Sequence, residues 1–159
     1  MIKLGQKLKT HFKLKIVRDG SEAEVAFKDL LDRPTIVSVY MKNNTSSCDK
    51  QNDSLAARAE EFAKRGYHLV ALSRDTCGSH LKYAVKKKIT YTLASDPDDL
   101  FAQAAEAIVE KSMYGKTYEG PARVAFVFDR DGTVLGIAEK VDTKDHAAQL
   151  LALLDGLKS

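Results

Sequence analysis

Thr35-Ile36-Val37-Ser38-Val39-Tyr40-Met41 is β-branched and almost continuously apolar. Such a run predicts a strand buried on both faces. A polar loop, Lys42 to Ser47, follows it. From about Cys48 to Arg65, the spacing of Leu55, Ala59, Phe62 and Ala63 predicts one helix with a single apolar stripe, closed by Gly66. Tyr67 to Ser73 predicts a second buried strand. Strand, helix, strand at this spacing is a βαβ unit, whose right-handed crossover makes the two strands parallel.

Further along, Ser79 to Lys88 predicts a helix with Leu81, Ala84 and Val85 inward, and Tyr91 to Ala94 a short strand. Ser95-Asp96-Pro97-Asp98-Asp99 carries helix-start signals, with Asp96 as N-cap and Pro97 at the first helical position. Leu100, Phe101, Ala104 and Ala105 would face inward. Arg123 to Asp129 and Thr133 to Ala138 flank an Asp131-Gly132 turn and predict an antiparallel pair. A last helix starts at Thr143 as N-cap and presents Ala147, Leu150, Leu151 and Leu154 on one face. The first 34 residues are less patterned: Leu14 to Val17 predicts a strand, Asp19-Gly20 a turn, and Ala26 to Leu31 a short helical turn. The order predicts a single α/β domain over 1–159, a three-layer sandwich around a mixed β-sheet.

Composition agrees with that reading. The chain has 159 residues, 44% hydrophobic and 30% charged, which excludes a disordered chain, and its two cysteines exclude a disulfide scaffold. No apolar run is long enough to span a bilayer. The first residues, Met1 to Lys7, carry no apolar signal region, so the expected compartment is the cytoplasm, without membrane attachment. The net charge of +3 is mild. The one basic cluster, Lys86-Lys87-Lys88, has no interleaved aromatics and reads as a solvated helix face, so no nucleic-acid partner is expected.

Cys48 is the residue most suited to chemistry. It follows a buried strand across a polar loop and opens a helix, where unpaired N–H groups and the helix dipole favour a thiolate. Thr45, Ser46 and Ser47 supply hydroxyls beside it. A buried structural cysteine among capping residues is the alternative. Cys77 follows the second strand in the same way, so parallel neighbouring strands would put both sulfurs at the carboxyl edge of the sheet, where α/β folds place their sites. Arg123 and Arg74 compete for the role of a cation near Cys48. The four histidines show no metal spacing and there is no C-x-x-C, so neither a metal nor a bound cofactor is expected.

These residues resemble the peroxiredoxins, and most nearly the peroxiredoxin Q or bacterioferritin comigratory protein subgroup. The likeness runs from about Asp19 to the C-terminus. Its anchors are Val37 to Cys48, Leu72-Ser73-Arg74-Asp75 with Ser79-His80, Ser95-Asp96-Pro97-Asp98, Met113-Tyr114-Gly115-Lys116, and Arg123 to Gly132. The resemblance implies a thioredoxin-like fold and an antioxidant thiol peroxidase acting on hydrogen peroxide and organic hydroperoxides. Cys48 would be the peroxidatic cysteine, Thr45 the active-site threonine and Arg123 the active-site arginine. It also implies a thioredoxin-like dithiol reductant and a monomer or weak dimer.

Two departures from the subgroup stand out. Met41 occupies the place of a proline seven residues before the peroxidatic cysteine, and Ser46-Ser47 that of Pro-Gly. The subgroup's resolving cysteine falls at positions matching Asp53 or Ala84, neither of which is cysteine here. Cys77, two helical turns before Ala84, is the expected intramolecular resolving cysteine. A one-cysteine peroxidase with Cys77 structural, and a non-enzymatic redox sensor or interaction module, remain alternatives.

Overall fold

The computed structural model describes residues 1–157. The β3 strand, Thr35–Val39, is buried throughout, and so is β4, His68–Ser73. They pair in parallel, Val37 opposite Val70, as the crossover rule requires. β5, Thr92–Ser95, extends the parallel set, and β8, Ala125–Phe128, runs antiparallel along the other side of β3. With β1 (Lys13–Arg18), β2 (Ser21–Ala26) and β9 (Val134–Ala138), the seven-stranded order is β2-β1-β5-β4-β3-β8-β9.

Alternation along these strands builds the two cores. Val37, Val39, Val70, Leu72, Phe126 and Phe128 point to one face, against Phe27 of α1 (Phe27–Leu30) and Phe101 of α5 (Leu100–Ala104). Ile36, Tyr40, Leu69, Ala71, Leu93 and Val127 point to the other. That face is covered by α2 (Ser46–Ala57), α3 (Ala59–Lys64), α4 (Cys77–Lys87) and α6 (His146–Gly156). Helices on both faces of a mixed sheet give the three-layer α/β sandwich expected from the pattern.

Several local expectations are corrected. The helix anticipated from Cys48 to Arg65 is two helices, because Arg58, at φ −123°, leaves helical geometry between them. Within it, Leu55 and Phe62 are buried and Ala63 is exposed. Val85 of α4 faces solvent, and His80 and Tyr83 fill the core instead. Asp96 caps α5 from further away than expected: its carboxylate accepts from the N–H groups of Leu100 and Phe101, while Asp99 holds the N-cap position. The last helix is capped by Asp145, whose side chain accepts from Ala148 N–H, and not by Thr143.

Two elements are additional to the sequence reading. One is β2, whose pairing with β1 follows the Asp19-Gly20 turn. The other is a separate hairpin of β6 (Ile108–Met113) and β7 (Lys116–Pro121), turning through Tyr114 and Gly115 at positive φ. Both central residues of such a tight turn take the left-handed region because that matches the strand twist.

Candidate active site

β3 ends where the sheet meets the start of α2. The chain leaves through Tyr40, Met41 and the turn at Asn44, which sits at φ +63°, and re-enters a helix at Ser46. This return places Cys48 in the first turn of α2, directly against the end of β3. The residue is 1% exposed, and Met41 N–H points at Cys48 Sγ over 3.4 Å. The sulfur thus faces one backbone donor and has little access to water.

A second set of contacts fixes the neighbouring cation. Arg123, just before β8, donates through Nη1 to Gln51 Oε1 at 3.0 Å. Gln51 lies one helical turn after Cys48 on α2 and is buried. Its Nε2 donates to Ser38 Oγ at 3.0 Å, and Ser38 Oγ lies 2.9 Å from His146 Nε2. His146 Nδ1 lies 3.0 Å from Gln149 Oε1, an atom that also accepts from Asp142 N–H. That acceptor assigns the proton to Nδ1, so Nε2 accepts from the Ser38 hydroxyl. The relay has one direction, and it needs a neutral His146. Burial pushes the His146 imidazole down to about 4, with Arg123 acting in the same sense and Gln149 and Asp142 opposing.

The loop itself is tied to the neighbouring strand end. Asn43 N–H donates to Asp75 Oδ2 at 2.9 Å, and Asn43 Nδ2 reaches Ser79 Oγ and His80 Nδ1, each at 3.1 Å. Tyr83 of α4 donates to Asp49 Oδ1 at 2.7 Å, and Lys87 reaches Asp53 at 3.2 Å. The segment holding Cys48 is therefore clasped to α4 along its length.

The other expected residues occupy distinct places. Thr45 stands at the N-cap of α2 in extended geometry, but its hydroxyl donates to Lys42 carbonyl at 2.7 Å instead of capping the helix. Arg74 is ion-paired with Asp99, so of the two arginines it is Arg123 that is tied to the Cys48 helix, through Gln51. Cys77 opens α4 in a cleft of about 510 Å³ lined by Lys15 and Glu22 of the β1–β2 hairpin, Asp96 and Leu100. Burial pushes its thiol up, Glu22 adds to this and Lys15 opposes it. The structure brings Cys48, Met41, Gln51 and Arg123 together. Both cysteines are free thiols, and Cys77 faces the hairpin on the far side of β4 and β5 from β3.

Sequence reasoning missed Ser38, Gln51, His146 and Lys111. Ser38 was visible as the polar residue between Ile36 and Tyr40 on one face of β3, and Gln51 as the polar residue one turn beyond Cys48. Lys111, on β6, lies 2.7 Å from Met41 Sδ through its Nζ. Its burial, with Arg74 and Arg123 nearby, pushes its ammonium down, while Asp99 and Cys48 oppose this. No cluster of metal-ligating side chains occurs among the described residues, and no helix among them is long and apolar enough to cross a membrane.

Known proteins share this fold. The AhpC/TSA family pattern matches residues 4–137. Peroxiredoxin Bcp of Xanthomonas campestris is 33% identical over 119 residues, covering 75% of this chain and 74% of that protein. Peroxiredoxin Bcp of Escherichia coli is 29% identical over 128 residues, covering 80% and 82%. Among solved structures, Xanthomonas campestris bacterioferritin comigratory protein, studied for its alkyl peroxide reduction activity, superposes with a TM-score of 0.85 at 27% identity, covering 98% of this chain and all of that one. Xanthomonas campestris peroxiredoxin Q gives 0.84 at 27% identity, covering 94% and 95%. With the family pattern spanning most of the sheet and its helices, this chain belongs to the AhpC/TSA family, in its peroxiredoxin Q/Bcp subgroup.

Proposed function

We propose that the chain is a thiol peroxidase in which Cys48 reduces hydrogen peroxide and organic hydroperoxides. The observation that carries this reading is the setting of Cys48: a buried sulfur in the first turn of α2, facing Met41 N–H, one turn from the glutamine that holds Arg123. The Cys48 thiolate attacks one peroxide oxygen. The S–O bond forms, the O–O bond breaks, and the leaving oxygen takes a proton to become water or an alcohol. Arg123 and the N–H groups at the start of α2 stabilise the charge moving onto that oxygen. In this reading the Thr45 hydroxyl, bonded to Lys42 carbonyl in the resting protein, turns toward the bound peroxide.

The Cys48 sulfenic acid is then resolved by Cys77: an S–S bond forms and water leaves. A disulfide needs Cα atoms within about 7 Å, and in this reading the ties from Asn43 to Ser79 and His80, with the first turns of α2 and α4, open as the two sulfurs meet. A thioredoxin-type dithiol restores both thiols by exchange. The cleft that points Cys77 toward the β1–β2 hairpin favours a second version, in which an external thiol resolves Cys48 and Cys77 is structural.

Coupled turnover with thioredoxin separates these versions. Cys48→Ser is expected to abolish peroxide consumption, and retained turnover in that variant would refute the peroxidase reading. Cys77→Ser is expected to lose thioredoxin-dependent turnover while keeping one round of peroxide reduction. Unchanged turnover would assign resolution to an external thiol.

A further inference from the structure

Met41 and Lys111 form a pair that the Cys48 mechanism does not use. Met41 is the residue whose backbone N–H faces Cys48 Sγ, so its side chain begins where a peroxide must arrive. It is only partly buried. Lys111 comes from the separate β6–β7 hairpin and sets its Nζ 2.7 Å from Met41 Sδ. Among the described residues it has no carboxylate partner: the nearby Asp99 is taken by Arg74. A thioether is a weak hydrogen-bond acceptor, and a half-buried ammonium gains little from it. A sulfoxide oxygen is a far better acceptor and would lie within reach of the same ammonium.

The geometry points to Met41 as a second peroxide-reactive sulfur, a sulfoxidation site whose proton donor is Lys111. The thioether sulfur attacks one peroxide oxygen; the S–O bond forms and the O–O bond breaks. The leaving oxygen takes a proton from the Lys111 ammonium and departs as water or an alcohol. The hydroxysulfonium then returns its proton to the Lys111 amine, leaving the sulfoxide. The sulfur is oxidised by two electrons, the peroxide is reduced by two, and Lys111 ends as it began. The burial of Lys111, and after it the nearby charges of Arg74 and Arg123, ease release of that proton. The sulfoxide product converts an apolar wall of the Cys48 site into a polar one, held by Lys111.

The inference rests on the proposed approach of peroxide to Cys48, but its test is run without that thiol. The Cys48→Ser protein is treated with excess hydrogen peroxide, and peptide mass spectrometry follows sulfoxide at each methionine. Met113, which is 56% exposed on the same hairpin, is the internal reference. Met41 is expected to oxidise about tenfold faster than Met113, the ~10²–10⁴-fold contribution of a placed general acid being partly offset by its lower exposure. Adding Lys111→Gln is expected to bring Met41 to the Met113 rate or below. Adding Lys111→Arg keeps the charge but holds its proton too tightly to donate, so it is expected to be as slow as Lys111→Gln. Oxidation of Met41 no faster than Met113, or a Lys111→Arg protein as fast as the lysine protein, would overturn the proposal. Failure of peroxidase turnover in the Cys48-containing protein leaves this readout unaffected, so the two proposals fail separately.

Discussion

Acidification is expected to destabilise the protein through His146, and the size of the effect follows from its place in the relay. His146 is fully buried, with Nε2 accepting from Ser38 and Nδ1 donating to Gln149. In the unfolded chain its imidazole takes up a proton near the ordinary 6.5; in the folded protein it resists protonation until about 4. Between those values the unfolded state binds more protons, so stability is complete above about pH 6.5 and is lost as the pH falls toward 4. Linkage over the whole interval amounts to about 3 kcal/mol, of which about 2 kcal/mol is lost between pH 7 and pH 5. His68 and His80, also lowered by burial, add losses of the same sign. Urea unfolding of the wild-type and His146→Gln proteins at pH 7, 6 and 5 isolates the His146 share, because the other histidines are common to both. The variant should be less stable at pH 7 yet lose about 2 kcal/mol less on going to pH 5. Equal losses in the two proteins would refute the assignment of a neutral, relay-bound His146.

Three further outcomes test other parts of the account. Arg123→Gln should slow the reaction of Cys48 with peroxide by about a hundredfold or more, as removal of a charge-stabilising donor does, read by stopped-flow in a single turnover. Gln51→Leu leaves Ser38 and Arg123 in place but cuts the tie between them; it should slow the same step while thermal unfolding still shows a cooperative fold. Unchanged kinetics would make the relay purely structural. Asp96→Ala removes both acceptors for the N–H groups of Leu100 and Phe101 and should cost about 2 kcal/mol in urea unfolding, at the upper end of N-cap losses.

The parts of the molecule that could be read from sequence are those set by local, repeated physics. β3 and β4 were legible because burial on both faces leaves an apolar run, and Cys48 because a strand, a polar loop and a helix start fall in succession. The β6–β7 hairpin was not, because its solvated strands alternate charged and apolar residues weakly, and its turn uses Tyr114 where asparagine or glycine would have signalled. Val85 was misplaced on α4, where Tyr83, two positions earlier, fills the core. The Arg123–Gln51–Ser38–His146 relay was invisible for a different reason. Its members lie up to 108 positions apart, and each alone is an ordinary polar residue. Only the pairing of β3 with β8 and the packing of α6 over the sheet join them. The same holds for Met41 and Lys111, separated by 70 positions and brought together by a hairpin outside the main sheet.

The most direct test of the central claim is single-turnover oxidation. The fully reduced protein is mixed with one equivalent of hydrogen peroxide, quenched rapidly with a thiol-blocking reagent, and its cysteine peptides are followed by mass spectrometry. Cys48 should be consumed orders of magnitude faster than a free thiol, with a Cys48–Cys77 linked peptide accumulating afterwards. Reaction of Cys48 no faster than free cysteine would contradict the peroxidase reading and return the chain to a binding or sensing role on the same fold.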